Sequence, residues 1–132
     1  MTIALPPYAQ ALRIETSRDN NGRIVLTMPF GSHVQGRPNF LHGGAIAGLL
    51  EIAAFASLRD ALGDEEATVQ IKPITVTTDY MRGGRARLTY AAAVISRLGQ
   101  RMANVESFAW QEEESKPIAA ARMNFLLVRD KS

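Results

Sequence analysis

The sequence predicts an α+β fold, a curved antiparallel sheet wrapped around one long central helix. Three observations carry that expectation. The 132 residues, 46% of them hydrophobic, suffice for one domain (core about 10–129) with a sizeable interior but not for two. From residue 43 to about 62, Ala, Leu and Ile dominate without a proline, the composition of a helix rather than a strand. Most of the chain beyond that helix alternates apolar and polar side chains, the period of a half-buried strand.

Taken in chain order, two short strands are expected first, at Ala11–Thr16 and Arg23–Met28. They are joined through RDNNG, where Asn-Gly takes positive φ at low cost. The Gly- and Pro-rich PFGSHVQGRPNF reads as loop, with His33 part of it. The helix then runs to a stop near Gly63. It is apolar nearly all round until Arg59 and Asp60, so it belongs inside the molecule. After a turn at DEE come four strands: VQIKPITVTTDY, RARLTYAAAVISR, QRMANVESFAWQ and IAAARMNFLLVR. Pro73 marks a bulge or an edge position in the first of them. Ala91, Ala92 and Ala93 suit close approach of the sheet to the helix or to another subunit.

Composition excludes several kinds of chemistry. With no cysteine there is no disulfide, thiolate metal site or cysteine nucleophile. His33 and His42 are the only imidazoles, and no zinc-like His spacing exists, so no metal is expected. A net charge of +2 without a dense basic block argues against nucleic acid. No leader-like segment or membrane-length apolar run is present, and a cytoplasmic location is the expectation. Arginines 82, 85, 87, 97 and 101 suit a phosphorylated small molecule.

Glu51 stands among Leu49, Leu50, Ile52 and Ala53, where a carboxylate is costly unless partnered or used. Desolvation there would favour a general base; the alternative is a glutamate facing solvent or a subunit seam. Gly43 and Gly44 open the helix, whose first N–H groups attract a negatively charged oxygen and whose glycines allow close approach. Two glycines also simply permit a tight turn. His42 and Asn39 suit contact with a substrate or the organisation of the loop. Thr75, Thr77 and Asp79 form a polar strand face. A donor-rich helix start and a carboxylate about two turns along it are together suited to flank one carbonyl.

LHGG at residues 41–44, with Glu51 nine residues after His42, resembles the hotdog-fold acyl-CoA thioesterases of the phenylacetate-pathway type. DYMRGG at 79–84 is similar to the aromatic-then-RP segment after that family's third strand. Where many members carry an asparagine six or seven residues before the His, this chain has Gly36 and Gln35. The resemblance implies hydrolysis of an acyl-CoA to free acid and CoA, with no separate cofactor. Glu51 is then the general base or nucleophile, and the Gly44 N–H polarises the thioester carbonyl beside Gly43 and His42; Asn39, three residues before His42, stays a catalytic candidate on its own chemistry. Thr75, Thr77, Tyr80, Arg82, Arg85 and Arg101 are its candidate substrate-binding residues, the arginines facing the CoA phosphates. It also implies a homodimer, or a dimer of dimers, with active sites at the subunit seam and Glu51 facing the partner's His42 loop. Two competing functions remain: a hydratase or dehydratase of acyl thioesters, in which His42 and Glu51 exchange protons, and a non-catalytic acyl-CoA-binding or structural domain.

Overall fold

A computed structural model describes residues 3–63 and 68–129; the expected DEE turn lies outside the described residues. The elements are α1 (Tyr8–Ala11), β1 (Glu15–Arg18), β2 (Ile24–Met28), a 3-10 turn (Ser32–Val34), α2 (Gly43–Leu62), β3 (Val69–Tyr80), β4 (Thr89–Leu98), β5 (Met102–Trp110) and β6 (Ala119–Arg129). The strands form one antiparallel sheet in the order β1-β2-β4-β5-β6-β3. It curves around α2, as expected.

Two elements depart from the sequence expectation, and one is the strand expected from Arg85, which begins only at Thr89. The first strand begins at Glu15 instead of Ala11, and a helical turn precedes it. Pro7 caps that turn in the αR region, a φ that proline fixes in advance. Ala9 and Leu12 are buried. The turn lies on α2 at Gly48, where a Cβ would stand only 2.9 Å from the Tyr8 ring.

Helix α2 begins at His42, an extended residue, and stops at Gly63, whose φ of +53° suits glycine. Ala91 and Ala93 of β4, Val105 and Ala109 of β5, and Ala121, Met123 and Phe125 of β6 pack with it in a single core. Small strand residues let the backbones approach, while Leu49, Leu50 and Leu58 are fully buried, each contributing about 1.5–3 kcal/mol by leaving water. With the sheet on one side and α1 on another, one stripe of the helix is only half-buried: Gly43, Ala47, Glu51, Phe55 and Arg59, at the four-residue spacing of a helix face. Glu51 is therefore not enclosed by the core.

β3 is an edge strand with a register shift between Pro73 and Thr75, both as Pro73 implied. Beyond the bulge Val76, Thr78 and Tyr80 pair with Met123, Ala121 and Ala119 and share their helix side. Thr78 is half-buried and Tyr80 touches the start of α2 at Gly43, yet Val76 and Tyr80 remain 43% and 54% exposed.

Candidate active site

The site is built where the loop before α2 meets the loop after β3. Residues 35–41 form a tight excursion: Gly36 N–H donates to Phe40 O at 2.9 Å and Phe40 N–H to Arg37 O at 3.0 Å. Asn39 takes a positive φ of 67° at its tip and donates its N–H to Gln35 Oε1 at 2.9 Å. This excursion is fastened to the β3–β4 loop. Phe40 pairs with Arg85 as an isolated bridge, and Leu41 N–H donates to Gly84 O at 2.9 Å. Gly83 and Gly84 make the approach possible: a Cβ at Gly84 would stand 2.6 Å from Leu41 Cδ1, and one at Gly83 3.1 Å from the Phe40 ring.

The excursion delivers His42 to the helix start. His42 is the N-cap, and its Nδ1 accepts the Gly44 N–H at 2.8 Å. The carbonyl of His42 accepts the next two N–H groups, from Ala45 at 3.0 Å and Ile46 at 3.2 Å. The Gly43 N–H alone among the first four has no partner among the described residues. Its carbonyl is held by the Tyr80 hydroxyl, which donates at 2.9 Å. Gly44 was the expected carbonyl donor; here its N–H is engaged by His42 and the open donor is that of Gly43.

A cleft of about 360 Å³ opens at this point, lined by Arg37, Phe40, Gly43, Tyr80, Arg82 and Gly83 among others. A second, of about 210 Å³, shares Arg82 and Gly83 and adds Arg85, Gln111 and Lys116. The structure thus gathers Gly43, Tyr80, Arg82 and Arg85 around the two clefts, while Asn39, His42 and Gly44 lie on the adjoining loop and helix start without lining either. Arg37, Phe40 and Lys116 belong there too, although nothing in the sequence marks them beyond their residue types.

Other expected residues lie elsewhere. Glu51 is on the stripe that begins at Gly43 but two turns on, about 12 Å along the axis at 1.5 Å per residue. Glu51 has no hydrogen bond or ion pair among the described residues. Thr75 and Thr77 pair with Asn124 and Arg122 on the sheet face turned away from α2. The bulge shifts the phase, so Thr78 is the threonine on the helix side. Arg101 stands at the β4–β5 turn beside Leu127 and Arg129, at the opposite end of the sheet.

The perturbed titrating groups are structural clips outside the mouth. The Arg18 guanidinium holds the Asp60 carboxyl below its ordinary value. Backbone N–H groups and Arg23 do the same for Asp19, and Arg23 for Glu114. Among the described residues no group of three or more His, Asp or Glu is placed to hold a metal ion, and no helix is long and apolar enough to cross a membrane.

Comparison with known proteins fits this architecture. Residues 38–118 match the family model of the thioesterase superfamily. The BH2602 protein from Bacillus halodurans, solved with CoA, is similar over 96% of this chain and 81% of its own, with a TM-score of 0.83 and 23% identity. A Chromobacterium violaceum protein is 34% identical over 92% of this chain and 83% of its own, with a TM-score of 0.74. A Haemophilus influenzae thioesterase is 21% identical, covering 95% of this chain and 85% of its own, with a TM-score of 0.79. No curated protein matches at a significant level.

Proposed function

Because the chain belongs to the thioesterase superfamily, we propose that it hydrolyses an acyl-CoA thioester to free acid and CoA in sites shared between two subunits. The observation that carries this reading is the unpartnered Gly43 N–H at the start of α2, opening on a cleft whose rim is cationic. A thioester carbonyl directed there meets the positive end of the helix, and the interaction strengthens as negative charge develops on oxygen. When the exposed His42 ring turns aside, the Gly44 N–H adds a second donor. The CoA bound by the B. halodurans protein supports the choice of carrier. Within the family, the phenylacetate-pathway type rests on LHGG and the position of Glu51.

Glu51 supplies the carboxylate, and its place two turns beyond Gly43 on the half-buried stripe of α2 supports its serving the site of a second copy. The uncovered part of β3, with Ile74, Val76 and Tyr80 exposed, is a long apolar sheet edge of the kind that pairs with another strand. The opposite edge, β1, is four residues long and carries Glu15 and Arg18, which discourages pairing. Two-fold pairing of β3 with itself joins the sheets and sets the half-buried stripe of each helix against the partner. Glu51 then removes a proton from water attacking the carbonyl carbon, or attacks it directly to form an anhydride; the C–S bond breaks and CoA leaves as the thiol.

The test is CoA release across short, medium, long and aromatic acyl-CoAs by the wild type and by Glu51→Ala, each confirmed as a folded dimer. Turnover reduced at least about a hundredfold in the variant supports the carboxylate role; equal turnover by both proteins, or none by either, overturns it. Single turnover in 18O-water reports on the route, because label in Glu51 identifies an anhydride opened by water at the glutamyl carbonyl.

A further inference from the structure

We propose that Tyr80 is a positioning residue: its hydroxyl fixes the Gly43–Gly44 peptide, so that the donors at the start of α2 keep their aim on a thioester carbonyl when His42 lets go. The proposal rests on the hydrolase reading above and goes beyond it, giving Tyr80 a hold on the backbone in place of a contact with substrate. One peptide is gripped at both ends. Tyr80 Oη donates to the Gly43 carbonyl at 2.9 Å, and the Gly44 N–H donates to His42 Nδ1 at 2.8 Å. A peptide is planar and carries its C=O and N–H on opposite sides. A bond that fixes the oxygen therefore also fixes the direction of the Gly44 N–H.

Two adjacent glycines lack the side chains that narrow φ and ψ elsewhere, so the hold has to come from outside, and each glycine is matched to its holder. At Gly43 a Cβ would stand 3.5 Å from the Tyr80 hydroxyl oxygen and 3.6 Å from its ring, so ring and backbone are in contact. At Gly44 a Cβ would stand 2.9 Å from His42 Nδ1, and glycine leaves the imidazole its place. The two holders differ in permanence. His42 must release the Gly44 N–H before that group can meet a substrate carbonyl, whereas Tyr80 bonds to the far end of the peptide and stays. Tyr80 is itself anchored. Its backbone pairs with Ala119 at the end of β3, and the next two N–H groups, of Met81 and Arg82, donate to Ile118 O at 2.8 and 3.2 Å. Donation to the Gly43 carbonyl also makes the Gly44 N–H a stronger donor, because linked hydrogen bonds polarise one another. Negative charge grows on the substrate oxygen during attack, so a well-aimed donor lowers the barrier more than it tightens binding.

Tyr80→Phe removes the hydroxyl and leaves the ring, and two measurements on it test the proposal. The first is steady-state hydrolysis of an acyl-CoA by wild type and variant, each confirmed as a folded dimer. A kcat lowered at least about tenfold, with KM changed less than about twofold, supports positioning, because the lost interaction then acts in the transition state. An unchanged kcat overturns it, whether stability falls, as for a mere staple between β3 and α2, or KM rises, as for a substrate contact. A rise in KM as large as the fall in kcat overturns it too. The second is amide exchange with solvent in protein labelled with 15N-glycine. The Gly44 N–H is expected to exchange at least about tenfold faster in Tyr80→Phe, while Gly48, further along α2, keeps its rate. An unchanged Gly44, or equal acceleration at Gly48, overturns the hold whatever the turnover. Wild-type protein that hydrolyses no thioester defeats the hydrolase reading, and the exchange rates then decide the hold by themselves.

Discussion

His42 caps the start of α2 and Glu51 stands two turns along it, and replacing each has a separable cost. Glu51 is a half-buried carboxylate without a partner among the described residues, on a helix that has only Ser57 as another polar side chain before Arg59. Replacing it by leucine is expected to raise thermal stability by about 0.5–1 kcal/mol, the usual trade at a functional group, while abolishing CoA release. Thermal melts with activity assays check this, and a less stable Glu51→Leu would mean that Glu51 has a structural partner across the seam. His42 acts through a single bond, from the Gly44 N–H to Nδ1. His42→Ala should cost about 1 kcal/mol, as for loss of other N-caps, measured by urea unfolding. LHGG and Glu51 were legible in the sequence because each breaks the pattern of its surroundings. Arg37 and Phe40 were not: an arginine in a polar loop is unremarkable until Gly83 and Gly84 bring the loop against Arg85.

Among the elements, the long helix, the four strands after it and the bulge at Pro73 could all be read from composition and period. The first strand was misplaced because Tyr8–Ala11 forms a turn stabilised by packing on α2, which has no local signature. The face of Thr75 and Thr77 was illegible because one inserted residue inverts every side chain beyond it. The loop junction at the site makes a graded prediction. Gly84→Ala drives a methyl to 2.6 Å from Leu41 and should destabilise by about 1–3 kcal/mol, in the range of overpacked sites. Gly83→Ala meets only the edge of the Phe40 ring, at 3.1 Å, and should cost less; the reverse order in denaturation midpoints would refute the packing account. A second prediction concerns the clip between β1 and α2. Arg18 holds Asp60 below its ordinary 3.8, so its contribution is present above that value and lost as pH falls through the lower folded value. Asp60→Asn should therefore melt earlier than the wild type at pH 7, and the gap should close well below pH 3.8.

At the scale of the whole molecule, the proposed function divides each site between two copies, one giving the open helix start and the other the carboxylate two turns along its own α2. If two copies complete each other, damaged halves can be made to cooperate. Gly43→Pro removes the open N–H at a first helical position, where proline is accommodated, and the extended His42 already satisfies the restriction before a proline. Glu51→Ala removes the other half. Each variant alone should be inactive. Mixed, unfolded and refolded together at equal amounts, half the dimers are heterodimers, and each contains one site with an intact helix start and an intact carboxylate. The mixture should recover about a quarter of wild-type activity per subunit, the fraction set by random two-fold pairing. A Val76→Lys change on both chains places charge on the β3 edge and should abolish that recovery together with the dimer, as seen by light scattering. No recovery from a mixture proven to contain heterodimers would mean that each site draws both groups from one chain.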